Sequence, residues 1–308
     1  MDVIGDIVTA MRTGAPLARK KELHGRWGLR FVGDPGAGLL VVLKGAAWML
    51  PPMSPIPVRI GVGDVVFARS ADGYTLADHP DTALIDVAVA APNEQWPLSE
   101  AIPGQQASTS LLCGVYALDR TRPHPLIAQL PAVIHLPAQQ TDTEPLRSVI
   151  NLLSLEVSQY QPGFSAAVPA LLDLLLLYVL RTWYAHQADV GAQGWAKALS
   201  DPAIASALGQ IQRSPDKPWT VAALAADAAM SRSAFARQFS KSVGEPPLTY
   251  LTRWRMNLAG RLLRETDLTL GEIASRVGYR SDFAFSKAFR KLVGTSPGNY
   301  RRVHRPGL

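Results

Sequence analysis

Apolar positions recur along this chain at two different periods. From about residue 24 to 90 they come in short runs, "WGLRFV", "GLLVVLKGAAWML", "VRIGVGDVVFAR" and "YTLAD", broken by Gly, Pro and Asp. Short runs with turn formers between them predict strands, and several in succession predict a β-sandwich or barrel. "GVGDVVFA" predicts a tight turn that feeds a central strand. Ahead of these runs, Val3, Ile4, Ile7, Val8 and Met11 fall at helical spacing. Beyond them, residues 145 to 159 and 165 to 186 predict two helices around the Pro162-Gly163 turn. The second is apolar nearly all round, which predicts burial on more than one side. "AHQADVGAQG" predicts a loop after it, and the stretch from Gly194 leads into the last third, with a boundary at Pro215–Pro218.

That last third is written twice. Ser231, Phe235, Arg237, Phe239, Lys241, Gly244, Pro247 and Tyr250 recur as Ser281, Phe285, Lys287, Phe289, Lys291, Gly294, Pro297 and Tyr300. Upstream, Leu224-Ala225 recurs as Ile273-Ala274 at a spacing one residue shorter, so the second copy has one more residue in its turn. In each copy a Thr, Thr220 or Thr269, stands before a short helical run as an N-cap candidate. A tight turn follows, then a second helix that opens on a serine and ends at Gly244 or Gly294, as helices commonly do. Helix, turn, helix is the plan whose second helix enters the DNA major groove.

A helix turns about 100° per residue. Phe235 and Phe239 therefore share one face, as do Phe285 and Phe289, and these faces form the small cores. Ser233 and Arg237 lie on the outward face of the first copy, and Phe283 and Lys287 on that of the second. The Arg237 and Lys287 side chains suit guanine O6/N7 or a phosphate. Phe283 suits a thymine methyl, and Ala236 and Ala284 permit close approach. Asp282 suits the positive end of its helix. Between the copies, residues 248 to 264 put Leu251, Trp254, Leu258 and Leu262 on one stripe and Arg253, Arg255, Arg261 and Arg264 on the rest. This predicts a stiff rod holding two recognition helices.

Charge supports nucleic acid as the partner. From residue 213 onward there are 17 Lys and Arg against 7 Asp and Glu, whereas the chain as a whole has 31 against 25. A basic third on an acidic body predicts DNA binding that weakens steeply with salt. The single cysteine, Cys113, excludes an internal disulfide framework and a multi-cysteine metal site. Its apolar setting, "LLCGVY", predicts inert packing. The N-terminus lacks the basic start and apolar centre of a signal peptide, and the most apolar run, 168 to 180, is interrupted by Pro169 and Asp173. These features predict a cytoplasmic protein with no membrane partner. No phosphate-binding loop, dinucleotide fingerprint or hydrolase triad is present, so no catalytic residue and no cofactor is expected.

Residues 213 to 305 resemble the DNA-binding domain of the AraC/XylS family of bacterial transcription regulators. The resemblance rests on "AALAADAAMSRSAFARQF", "RLLRETDLTLGEIASRVGY" and "FSKAFRKLVGTSPGNYR". It implies base-reading positions at Ser233, Ala236 and Arg237, and at Phe283, Ala284 and Lys287, with Ser231 and Ser281 opening the two helices. Residues 2 to about 136 are similar to the cupin-type N-terminal domain of one branch of that family, through "GRWGLRF", "GDVVFARSADGYTLAD" and "LLCGVYALDRTRPHPLIAQLPAVIHL". Metal-dependent cupins use an H-x-H pair, a Glu and a later His. No H-x-H occurs here, Tyr74 stands where the later His would be, and His24 and His79 are isolated. No metal is expected, and the barrel is expected to hold a small effector near Trp27, Arg30, Trp48 and Tyr74.

The expected fold is α+β. Residues 1–140 form a cupin-like effector-binding domain, 141–212 a helical dimerisation and linker region, and 213–308 an all-α domain with two helix-turn-helix units joined by a linker helix. The resemblance implies a homodimer through the helices near 145 to 186, contact with RNA polymerase, and activation more than repression. Two other classes compete. A cupin-type enzyme or DNA-repair protein with a DNA-binding tail would show turnover or bound iron. An architectural protein would bind random DNA equally well.

Overall fold

The computed structural model describes residues 2–32, 36–51, 56–69, 73–88, 108–118, 124–141, 143–191 and 193–305. Its chain forms two compact units that interleave in sequence. One holds Gly14–Arg120 and Leu130–Trp183, and the other Met1–Thr13, Thr121–Gln129 and Tyr184–Leu308.

The first unit is built on ten described strands: β1 Leu17–Leu23, β2 Gly28–Val32, β3 Ala37–Lys44, β4 Ala46–Leu50, β5 Val58–Gly61, β6 Val65–Arg69, β7 Thr75–Ala77, β8 Ile85–Ala88, β9 Thr109–Tyr116 and β10 Val133–Leu136. They make two five-stranded sheets, ordered β1-β9-β3-β6-β10 and β5-β4-β7-β2-β8. Strand composition follows position. β3 and β6 lie inside their sheet, and both Ala37–Val42 and Val65–Ala68 are buried throughout, as continuous apolar runs require. β2 alternates, with Leu29 and Phe31 inward and Arg30 and Val32 outward. β1, "LARKKEL", is an edge strand, and its charges guard that edge. β3 and β4 meet at Gly45, φ +75°, where a Cβ would lie 2.1 Å from the Ser108 carbonyl oxygen. The expected turn before the central strand is the Gly61–Asp64 turn. Its Asp64 carboxylate accepts from the Gly61 and Ala138 N–H groups at 3.1 and 2.8 Å and lies 2.9 Å from His135 Nε2. Leu23, Trp27, Leu29, Phe31, Tyr74 and Leu76 are among the side chains of the common core.

Helices α1 Val3–Met11, α2 Pro125–Ala128, α3 Ala138–Thr141, α4 Glu144–Gln159 and α5 Phe164–Asp189 come next in chain order of their kind. α4 and α5 match the two helices expected from the sequence. α5 is long and apolar enough to cross a bilayer by composition, and only 33% of its most apolar window is buried.

The second unit contains α6 Gly194–Ser200, α7 Pro202–Arg213, α8 Val221–Asp227, α9 Arg232–Val243, α10 Pro247–Glu265, α11 Leu270–Arg276, α12 Asp282–Val293 and α13 Pro297–His304. α6 and α7, expected in the helical dimerisation and linker region, pack on α9 and α10. The reason is their apolar faces: Trp195, Ile204, Leu208 and Ile211 are all buried. Residues 3–11, expected within the effector domain, also belong to this unit. Helix α1 buries Val3, Ile4, Ile7, Val8 and Met11 and packs on α7 and α10. Its C-terminal carbonyls are satisfied by Arg264, whose Nη2 donates to Ala10 O at 3.2 Å and Arg12 O at 2.8 Å. A buried cation at a helix C-terminus is favoured by both hydrogen bonding and the helix dipole.

Candidate nucleic-acid interface

The two helix-turn-helix units are α8–α9 and α11–α12. Each is built as its sequence dictates. Thr220 accepts from Ala223 N–H at 3.0 Å. Thr269 forms a full capping box with Glu272, whose carboxyl is held below the usual range by hydrogen bonds from the Thr269 backbone and side chain. Ser231 and Ser281 cap α9 and α12, accepting from Ala234 and Ala284 N–H at 3.3 and 3.2 Å. Gly244 and Gly294 end those helices in the left-handed region, at φ +91° and +84°. Phe235, Phe239, Phe285 and Phe289 are fully buried. Each pair has its ring centroids 5.7 Å apart.

The outward faces are equally plain. Ser231, Ser233 and Arg237 on α9, and Ser281, Phe283, Ala284 and Lys287 on α12, are exposed, and Ala236 is half-buried. Phe283 is 78% exposed, the largest value among the exposed bulky apolar side chains described. Its backbone N–H donates to Asp282 Oδ1 at 2.8 Å, so Asp282 sits at the positive end of α12, as expected.

The contacts sort the basic residues into two groups. The cations of α10 are structural. Arg253 makes a bidentate pair with Glu245 at 2.9 to 3.1 Å. Arg261 pairs with Glu265 at 3.2 Å, and Arg264 is buried against Tyr300. Arg255 bonds two carbonyls before α8. Arg301 and Arg305 of the C-terminal segment bond carbonyls around Leu268. By contrast Arg232, Arg237, Lys241, Arg276, Arg280, Lys287, Arg290 and Lys291 are exposed, with no hydrogen bond or ion pair recorded among the described residues. All eight lie on α9, α11, α12 or the turn before α12. Within residues 213–305 the uncommitted positive charge is therefore concentrated on the paired units, where phosphates would be met.

In the sheet unit the four effector-lining candidates divide. Trp27 and Tyr74 lie in the common core, with Tyr74 stacked on Phe31 at 4.6 Å. Trp27 Nε1 is buried with no hydrogen-bond partner among the described residues, an arrangement that calls for a water or ligand acceptor. Arg30 lies on the outer face of β2, 3.3 Å from Asp86. Trp48 lies half-buried on β4, on the side opposite Ala47 and Met49. A separate cleft of about 430 Å³ is lined by Val41, Val62, Thr141, Arg147, Ile150 and Asn151, among others. Among the described residues no group of three His, Cys, Asp or Glu side chains is placed to hold a metal ion. Burial pushes the Cys113 thiol up to about 12, against which nearby Lys21 acts weakly.

Comparison with known proteins agrees with this geometry. Residues 2–185 match the Cupin family model, and residues 224–303 match a Helix-turn-helix domain model. An AraC-like transcription regulator of Streptomyces lividans is 32% identical over 302 residues, 98% of each chain. Another from Streptomyces antibioticus is 31% identical over 99% of this chain and 100% of its own. The transcriptional regulator AlkR of Acinetobacter baylyi is 34% identical over 78% of this chain and 79% of its own. With a cupin-like sheet unit, a doubled helix-turn-helix and relatives matched from end to end, the chain belongs to the AraC-like transcription regulators and is a DNA-binding member of them.

Proposed function

We propose that this regulator places α9 and α12 in successive major grooves, so that one chain reads two neighbouring DNA boxes. Ser233, Ala236 and Arg237 address the first box, and Phe283, Ala284 and Lys287 the second. Ser231 and Ser281 anchor the helix N-termini beside phosphate. The observation that carries this reading is the distribution of uncommitted charge, which avoids α10 and gathers on the two units. Arg237→Ala and Lys287→Ala, assayed by gel shift on DNA selected from a random pool, test it. Each substitution should weaken binding and relax base preference in one box only. Retained affinity together with retained preference in both variants contradicts it.

The sheet unit is read as the effector-binding part, with no catalysis of its own. The unpartnered buried indole N–H of Trp27, in the same core as Tyr74, supports a small molecule held within or against the sheets. Arg30 and Trp48 are outer-face candidates at the same unit's rim. A homodimer through α4 and α5 accounts for Leu152, Leu155 and Leu174, which are 51%, 49% and 37% exposed. Asp173 and Arg181 on α5 make a protein partner a better cover for that face than lipid. Activation through RNA polymerase, in the cytoplasm, completes the reading. Native mass spectrometry of the purified protein tests these parts together. A metal-free dimer supports them, and an iron-loaded monomer with turnover replaces them with the enzyme reading.

A further inference from the structure

Arg255 is the place where three separate segments of the DNA-binding unit meet. It sits at the middle of α10. Its Nε donates to Pro215 O at 2.7 Å and its Nη2 to Lys217 O at 2.9 Å. These carbonyls belong to the turn that leads into the first helix-turn-helix. That turn is closed by Trp219, whose Nε1 donates to Ser214 O at 2.9 Å. The guanidinium carbon lies 5.8 Å from the centre of the Tyr279 ring. Tyr279 is in the turn of the second helix-turn-helix, and its ring meets Phe285 of α12 edge-on at 6.0 Å.

The contact is close enough to dictate a neighbouring residue. Gly278 has φ +76°, and a Cβ there would lie 2.6 Å from Arg255 Nη2 and 2.9 Å from Asp216 Cα. The second turn thus rests directly on both the guanidinium and the first lead-in turn. One planar group, hydrogen-bonded along its edge and set over an aromatic ring, fixes both turns to α10.

We infer that Arg255 is a positioning residue that sets the spacing and angle between the two recognition helices, and so the separation of the DNA boxes that this chain accepts. The inference rests on the docking proposed above. α10 alone gives a rigid axis, but the helix-turn-helix units packed along it could still pivot about it. The Arg255 contacts remove that freedom. Lysine cannot replace it, because a point charge on a flexible stem does not span two carbonyls and sit over a ring at once.

The test begins with the full-length wild-type chain and DNA selected by it from a random pool. Operators are then made with one base pair added or removed between the boxes, and a further probe carries a single box. Wild type should discriminate strongly between the native and altered spacings. Arg255→Lys should keep its melting temperature and its single-box affinity, while the native-to-altered affinity ratio falls by at least about tenfold, the equivalent of one good base contact. Should the lysine variant fail to fold, Tyr279→Leu, which removes the ring under the guanidinium and keeps both carbonyl bonds, should give the same narrowing. An unchanged ratio in a folded variant overturns the inference, as does a loss that is equal on every probe, single box included. If wild type itself selects no two-box DNA, the docking reading fails instead, and the two failures are distinct.

Discussion

Phe283 is a large apolar side chain held in water on the first turn of α12, with its backbone N–H committed to Asp282. It does no work for the fold, so Phe283→Ala should leave the melting temperature unchanged and cost about 1 kcal/mol or more of sequence-specific DNA affinity. Titration against selected and scrambled DNA would measure this. His124 is the opposite case. It is fully buried, T-stacked on Trp195 and Tyr250 at 5.2 and 5.5 Å, and accepts from Leu126 N–H at 3.2 Å. Burial first, and Arg253 second, press its pKa from 6.5 down to about 3. The unfolded chain therefore binds this proton across a window in which the folded chain does not. Stability is complete above about pH 6.5 and declines below it, by about 2 kcal/mol at pH 5 from this group alone. Thermal denaturation from pH 7 to 5 should show the decline, and His124→Phe should flatten it. Cys113, with its thiol raised to about 12, should resist iodoacetamide at pH 8 in the folded protein and react after unfolding.

The paired turns differ in length by one residue but share a left-handed position. Gly278 takes φ +76° without cost, but its counterpart Ala229 takes φ +52°. An L-residue with a Cβ is strained there, so Ala229→Gly should raise stability by about 1 kcal/mol. Gly278→Ala should do the reverse and displace Arg255 as well. Urea denaturation of both variants checks the pair. These elements were the most legible part of the sequence. Caps, glycine stops and the Phe-x-x-x-Phe spacing are local signals, and Thr220, Ser231, Thr269, Ser281, Gly244 and Gly294 all act as their residue types predict. β1 was not legible, because an edge strand with Arg19, Lys20, Lys21 and Glu22 has no apolar run to betray it. The role of Arg255 was equally hidden. Its partners are carbonyls of residues 215 and 217 and a ring at 279, and no local pattern encodes so distant a meeting. In sequence Arg264 is one of four arginines on α10, and its burial depends on the first helix of the chain.

Across the molecule, the two units do not follow the order of the chain. The opening helix, residues 124–129 and the helices from 184 onward share one unit, so removing residues 2–13 should destabilise the DNA-binding part rather than the sheets. The amphipathic pattern of α1 was visible in sequence, but its partner was not, since periodicity gives a face and not what covers it. The same separation governs charge. Of the eight exposed, unpaired cations on the two helix-turn-helix units, Arg237 and Lys287 are assigned to bases, which leaves six for phosphates. The slope of log K against log salt should then be about −5. The most direct test of the central claim is a hydroxyl-radical footprint of the full-length chain on DNA that it has selected from a random pool. The account predicts, for each bound chain, two protected patches on one face of the duplex, about 10.5 base pairs apart. The Phe283→Ala variant should weaken only one of them. A single patch per chain, or even protection of any DNA offered, would contradict it.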